Sequence, residues 1–405
     1  MIFSTMKSKT LTGILSNNIV SPLGFTTEEN WQALSAGRSE LRCYEHGFDL
    51  PEPFCASLLD CDSLDERCNE LIFKNIEKYT KVEKMAVLSA ADAIARAGID
   101  PASPEVVFVL STTKGNVELL QDSRGFAPER AYLWSSAQQV ARFFGNPNEP
   151  VVVSNACISG CAALVVAQRM LAARRCRYAV VVGADVLSKF VISGFQSFKA
   201  LSPVLCRPFD GERIGLNLGE AAATVVCARR EDAEGKAGSW LLGGGLCNDA
   251  NHISAPSRTA EGLVRAFRQA ASDLTEEAMQ EVAFINAHGT ATRYNDDMES
   301  VAINRLGLSQ VPVNSLKGYF GHTLGAAGVL EVIVSSVELD EEKVLPTRGC
   351  ITPGTVEQIN VCQEITATNK NLFVKLISGF GGSNAALILA KNGDCMLSFI
   401  PAENL

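Results

Sequence analysis

The chain has 405 residues, 47% hydrophobic and 20% charged, with a formal net charge of −9 at pH 7. That length holds two lobes and that composition a large core, while the acidic balance argues against nucleic acid as the main partner. Thirteen cysteines and a first stretch with no apolar secretory segment point to free thiols in a reducing cytoplasm; no apolar run reaches the roughly 18 residues of a membrane span.

In chain order, Leu11 to Val20 reads as a strand and Lys84 to Ala97 as an amphipathic helix. Val106 to Ser111 reads as a second strand. The β-branched run Val151 to Val153 ends in Ser154-Asn155-Ala156, and after Cys157 a long apolar helix runs from Ile158 to Leu171. Tyr178 to Gly183 is an apolar strand, and Gly215 to Glu220 opens the strand AAATVVCA. The glycine-rich Leu242 to Gly245 is the expected boundary between two halves, residues 1–240 and 241–405. In the second half the strand Ala283 to Ala287 leads to His288. Val311 to Leu316 leads through Lys317 and a glycine loop to His322 and another apolar helix; Gly379 to Asn384 opens the strand AALILA. Each half repeats strand, loop, long helix, glycine turn and terminal strand, the pattern of a duplicated α/β unit.

Cys157 stands where a buried strand hands over to the start of a helix. Free backbone N–H groups and the positive end of the helix dipole favour a thiolate there. Most buried cysteines are only small hydrophobes, about nine in ten by expectation, and Cys161 one turn later fits that description. Company distinguishes Cys157: of four histidines in the chain, His288 and His322 both lie in glycine-bounded loops after strands, where sheets present chemistry. The set points to a Cys-His-His site. No metal-ligand spacing, phosphate loop or dinucleotide fingerprint accompanies it.

The segments SNACISG, INAHGTAT, NSLKGYFGHTLGAAGVLE and ISGFGGSN, in that order, resemble the motifs of the β-ketoacyl-acyl-carrier-protein synthases, specifically the elongating type I/II group. TLTGILSNNIVSPLG, RPFDGERIGLNLGEAAATVV and NDANHISAP extend the resemblance through nearly the whole chain. It implies an α/β thiolase-like fold, with duplicated αβαβα layered halves and mixed five-stranded sheets. The implied reaction is a decarboxylative Claisen condensation. Cys157 would carry the acyl group; His288 and His322 would hold the enolate left when malonyl-carrier protein loses carbon dioxide. The backbone N–H groups of Cys157 and Phe380 would form the oxyanion hole, with Phe380 also an aromatic gate. Lys317 and Glu331 would orient His322. Thr290, Thr292, Ser254 and Gly381 would contact the substrate arm, and Asp296 would buttress the histidine loop. No cofactor or metal is implied, since substrates ride on the phosphopantetheine of acyl carrier protein. The implied partners are that carrier protein and a second synthase-like subunit, identical or related; neither nucleic acid nor a membrane is implied.

The shared fold raises three other readings. A thiolase needs a second cysteine in the C-terminal glycine loop, and Ser378 to Ser383 has none. An initiating synthase would have asparagine at His322, and a non-catalytic chain-length subunit would lack Cys157. A cysteine hydrolase would need a path for water. The sequence departs from the family's pattern at Thr112 to Asn116, at Lys199 to Leu205, and at Ala221 to Ala223 after Glu220, which leaves the acyl group open. An acidic carrier needs a local basic patch on this acidic chain. The lysines at 74, 78, 81 and 84 recur at helical spacing and are expected near the pocket entrance, with Arg174, Arg175 and Arg177 as a second cluster.

Overall fold

A computed structural model describes residues 11–71, 75–253, 255–391 and 399. Five strands of the main sheet belong to the first half: β1 (Thr12–Val20), β2 (Val106–Ser111), β3 (Val151–Val153), β4 (Tyr178–Asp185) and β5 (Ala221–Arg229). Five belong to the second: β6 (Ser239–Asn248), β7 (Val282–Asn286), β8 (Val313–Asn314), β9 (Leu372–Gly379) and β10 (Ser383–Lys391). Hydrogen bonding orders them β8-β7-β9-β10-β6-β1-β5-β4-β2-β3.

Within each half the spatial order is first, fifth, fourth, second, third strand. The polarity repeats as well. β1–β5 and β5–β4 are antiparallel while β4–β2 and β2–β3 are parallel. The pairs β6–β10, β10–β9, β9–β7 and β7–β8 follow the same sequence. The two mixed five-stranded sheets meet where Thr12, Gly13 and Ile14 pair with Leu241, Trp240 and Ser239. The duplication read from the order of elements is therefore present in topology.

The helices that place the site are α1 (Lys81–Ala97), α2 (Leu133–Phe143), α3 (Ser159–Ala172), α4 (Lys189–Ser197), α5 (Glu261–Ala270), α6 (Arg293–Arg305) and α7 (Ala327–Asp340). Helix α1 begins three residues before the expected Lys84, because Thr80 and Glu83 close a capping box at its start. It packs on the outer face of the first sheet over Met85, Phe108, Val180 and Val226, and α5 covers the second sheet with Leu263, Phe267, Ile285 and Ile388. Between the sheets lie α3 and α7, apolar nearly all round and buried to match. Their first turns touch backbone to backbone. A Cβ on Gly160 would come 2.8 Å from Val329 N, and one on Gly328 2.4 Å from Cys161 N. Glycine at both positions lets the starts of the two central helices converge.

Two expectations are corrected and a third is given its place. The glycine run 242–245, expected at the boundary between the halves, lies within β6, the first strand of the second half; Cβ atoms on Gly243 and Gly245 would sit 1.9 Å from the carbonyl oxygens of Ala270 and Ala266, so the strand carries glycines because α5 rests directly on it. The strand expected from Val311 to Leu316 shrinks to Val313–Asn314, since Ser315 and Leu316 already turn toward Lys317. The thiols are not all free: Cys43 and Cys55, directly opposite on two short antiparallel strands, form a disulfide, while ten described cysteines remain unpaired. Among the described residues no helix is long and apolar enough to cross a membrane.

Candidate active site

Cys157 stands at the end of β3 just ahead of α3, whose N-cap is Ile158. It precedes the helix rather than lying in its first turn. The preceding Ala156 has φ +44°, a left-handed conformation costly for a residue with a Cβ, so the sulfur sits on a sharp turn. Ser159 fastens that turn: its Oγ accepts the Asn155 N–H at 2.8 Å and donates to Ala156 O at 2.6 Å. Ser383 Oγ donates to Asn155 Oδ1 at 2.8 Å, tying the turn to the glycine loop after β9.

His288 follows β7, and His322 follows the short turn that bears Lys317. The two ring centroids are 5.0 Å apart and nearly perpendicular. One ligand-type atom from each of Cys157, His288 and His322 lies within 4.8 Å of the others, and all three residues are buried. Residues separated by 165 positions in the chain thus form one cluster. Beside the cluster, Lys317 and Lys375 place two ammonium groups on the carboxylate of Glu331.

The imidazole protons follow from hydrogen bonds. His322 Nδ1 accepts the Leu324 N–H at 3.1 Å, which leaves its proton on Nε2, and Nε2 has no partner. His288 Nδ1 is likewise buried without a partner. Burial first, then the Lys317 ammonium, hold both histidines well below the usual range, so both are neutral at neutral pH. Burial pushes the Cys157 thiol up to about 11, against the opposing pull of Lys317, the Phe380 N–H, Lys114 and its own N–H. Desolvation thus outweighs the helix-start effect expected from the sequence.

Lys317 and Glu331, from the histidine turn and α7, form a buried ion pair. Burial raises Glu331, but Lys317 and Lys375 overcome it and hold the carboxyl below the ordinary range. The site opens into a cavity of about 550 Å³ lined by Cys157, His288, His322, Thr290, Thr292 and Phe380, among others. Thr290 and Thr292 bond each other through their hydroxyls at 2.9 Å. Phe380 packs against Phe195 and Phe198 at centroid distances of 5.8 and 5.3 Å. Gly381 is turned away: its N–H donates to Ile253 O and its carbonyl accepts from Asn248, while Gly382 faces the cavity. Ser254 lies outside the described residues; its neighbours Ala255 and Pro256 line the cavity. Asp296 is buried and accepts the N–H groups of Thr290 at 2.9 Å and Phe209 at 2.8 Å.

Three further residues organise the site and were missed in the sequence. Glu299 accepts the N–H groups of His288 at 2.6 Å and Gly289 at 2.7 Å; its spacing of three from Asp296 on one helix was the available signal. Asp185, fully buried at the end of β4, accepts from Thr112, Thr113, Lys114 and Gly325, joining the 112–115 loop to the His322 turn. Lys375 interrupts an apolar strand, and a buried lysine needs partners. The lysine cluster does not lie where it was expected. Lys81 pairs with Glu220 at 2.6 Å and Lys84 with Asp65 at 2.7 Å, and both line a separate cavity of about 230 Å³ that shares no lining residue with the first. Lys74 is outside the described residues. Arg174 and Arg177 pair with Glu231 and Asp232.

Against protein families, residues 13–233 match the β-ketoacyl synthase N-terminal domain and residues 239–350 the C-terminal domain. The chain belongs to the β-ketoacyl synthase family. It is 30% identical to 3-oxoacyl-[acyl-carrier-protein] synthase 2 of Rhizobium meliloti (strain 1021), over 93% of this chain and 98% of that one. It is 28% identical to a Streptomyces halstedii protein named as a candidate polyketide β-ketoacyl synthase 1, over 94% and 97%. Among solved structures, the ishigamide ketosynthase/chain length factor superposes with a TM-score of 0.83 at 26% identity, covering 95% of this chain and all of that one. This β-ketoacyl synthase is therefore a condensing enzyme, an acyltransferase with a thiolase-like fold, of the kind that serves fatty acid or polyketide synthesis.

Proposed function

We propose that both halves of the chain build one site: residues 1–240 bring the nucleophile and residues 241–405 the histidine and lysine loops. Cys157 attacks the thioester of an acyl-carrier protein; the carrier's thiol leaves with the proton that the cysteine gave up, and the acyl group stays on sulfur. The N–H groups of Cys157 and Phe380 both favour negative charge at that sulfur, which supports an oxyanion hole for the tetrahedral intermediate. Malonyl-carrier protein then loses carbon dioxide. The electron pair moves into the thioester carbonyl, and His288 and His322 donate to the enolate oxygen. The enolate carbon attacks the acyl carbonyl, the Cys157 thiolate departs, and a β-ketoacyl thioester two carbons longer remains.

The free, neutral Nε2–H of His322 beside the cysteine carries this reading. A neutral donor holds an enolate without surrendering a full proton, and each such donor is worth about 2.7–4 kcal/mol in a dry site. Thr290 and Thr292 line the approach of the phosphopantetheine arm, and Lys199 and Arg293, exposed at the same cavity, offer the basic contacts an acidic carrier needs. No cofactor enters this scheme. Ten unpaired thiols among the described residues suit a cytoplasmic location, and the Cys43–Cys55 bond stands against it.

A paired assembly with a second synthase-like subunit has its own support. β3 is the last strand of the sheet and only half-buried, and beside it Tyr132 and Trp134 stack on each other in the open. An open edge next to exposed aromatics is a template for another chain. Mass spectrometry of intact protein after exposure to acyl- and malonyl-carrier proteins tests the chemistry. The acyl adduct should vanish in Cys157→Ala, and His288→Ala and His322→Ala should lose decarboxylation while still accepting the acyl group. An adduct persisting in Cys157→Ala, or decarboxylation intact in both histidine variants, ends the assignment.

A further inference from the structure

Lys375 is fully buried in the middle of β9, between Val374 and Leu376. It pairs in register with Asn286, two residues before His288. Its ammonium forms an ion pair with Glu331 Oε2 at 2.7 Å and donates to Asn286 Oδ1 at 2.8 Å, with the carbonyls of Ala287 and Asn286 at 3.3 and 3.4 Å. The strand that bears it ends four residues later at Gly379, followed by Phe380. One side chain therefore joins the strand leading to His288, the helix bearing Glu331 and the strand leading to Phe380.

Glu331 already has a counter-ion in Lys317. The second ammonium leaves the cluster with one positive charge in excess, and a buried ion costs several kcal/mol unless its surroundings repay it. The carbonyls of Asn286 and Ala287 supply part of that compensation. They also belong to the segment that must hold His288 still.

We propose that Lys375 is a positioning residue for the decarboxylation step, fixing the His288 segment to Glu331 and placing a second positive charge near the two imidazoles, where the enolate forms. This rests on the assignment of His288 and His322 as enolate donors. The groups facing the imidazoles are Lys317 on the turn before His322, Glu331 on α7, Lys375 on β9, Asp296 and Glu299 on α6, Cys157 on its turn, and Asp185 through Gly325 N–H. Lys317 and Lys375 both act to keep the imidazoles unprotonated, and neutral imidazoles leave room for negative charge on the substrate.

Lys375→Met tests this through the pH profile of malonyl-carrier-protein decarboxylation. The rate should fall about tenfold or more at neutral pH, and the acidic limb should move up by about one pH unit, because the imidazoles then protonate more readily. A purely structural lysine would lower the thermal midpoint and leave the limb in place; an unmoved limb with an unchanged rate overturns the proposal. If the Met variant does not fold, Lys375→Gln, which keeps a donor without the charge, is read in the same way. Substrate-free imidazole ¹⁵N spectra supply a third reading. Both rings should be neutral at about pH 6 in the unmodified protein and should protonate at higher pH in the variant, and identical titration in the two proteins overturns the proposal. Absence of any acyl adduct on the unmodified enzyme would instead sink the condensing assignment, and the substrate-free spectra would still judge Lys375 by itself.

Discussion

At the scale of single residues the site is governed by desolvation. Cys157 was expected to be a helix-start thiolate, yet burial pushes its thiol up to about 11. Its reactivity toward a neutral alkylating agent should therefore rise about tenfold per pH unit from neutrality and reach no plateau near pH 8. Peptide mapping after iodoacetamide treatment at a series of pH values reads this rate at Cys157 alone. Lys317→Met should slow alkylation at every pH in that range, since the ammonium it removes favours the thiolate. A plateau near the pKa of an ordinary cysteine would show that the helix start prevails after all. The same burial that weakens the thiol keeps the histidines neutral, which suits donors better than bases.

At the scale of elements, α6 holds the His288 loop from behind. Its Asp296 and Glu299 collect four backbone N–H groups from two stretches of chain: Phe209, and the run His288, Gly289 and Thr290. Burial lifts Glu299 to about 7, helped by the charge of Asp296, and lifts Asp296 to about 6. A folded-state value raised above the unfolded one gives stability that is full below the unfolded value and lost as pH rises through the folded value. These two carboxyls should thus erode stability as pH rises, Asp296 from 3.8 to about 6 and Glu299 from 4.5 to about 7. Glu299→Gln should flatten that part of the urea-midpoint profile. Gln leaves one loop N–H without its acceptor, at a cost of about 1–3 kcal/mol, and so lowers the midpoint at acid pH. An unaltered slope would mean that Glu299 titrates normally.

At the scale of the whole molecule, the site exists because two copies of one topology bring their central helices together. Cys157 precedes α3 and His322 precedes α7, and Gly160 and Gly328 let the two helix starts approach. Gly328→Ala puts a Cβ 2.4 Å from the backbone nitrogen of Cys161, so the helices must separate. The expected cost is about 1–3 kcal/mol of stability, with a larger loss of condensation than of binding, because the cysteine moves away from the histidines. Thermal unfolding together with single-turnover condensation measures both, and an unchanged midpoint with full turnover would show that the contact is slack.

Much of this was legible in the residues. Strand and helix periods marked β1, β2, β4, β5 and α3, and the repeated order of elements announced the duplication. The Cys157, His288 and His322 motifs, with Lys317, Glu331 and Phe380, named the chemistry through local patterns that survive in one dimension. The glycine run 242–245 did not disclose its packing role, because a glycine under a packed helix and a glycine at a boundary look the same until the helix is in place. Lys375 and Asp185 were invisible for a related reason: a charged residue in an apolar stretch declares a burden, and only the folded chain shows which distant partners carry it. Sequence by itself determined the fold family and pointed to the proposed nucleophile and donors, since each is written in contiguous residues. Tertiary structure alone decided the protonation states, the buried charge and the link between loops, because burial and long-range contacts set them.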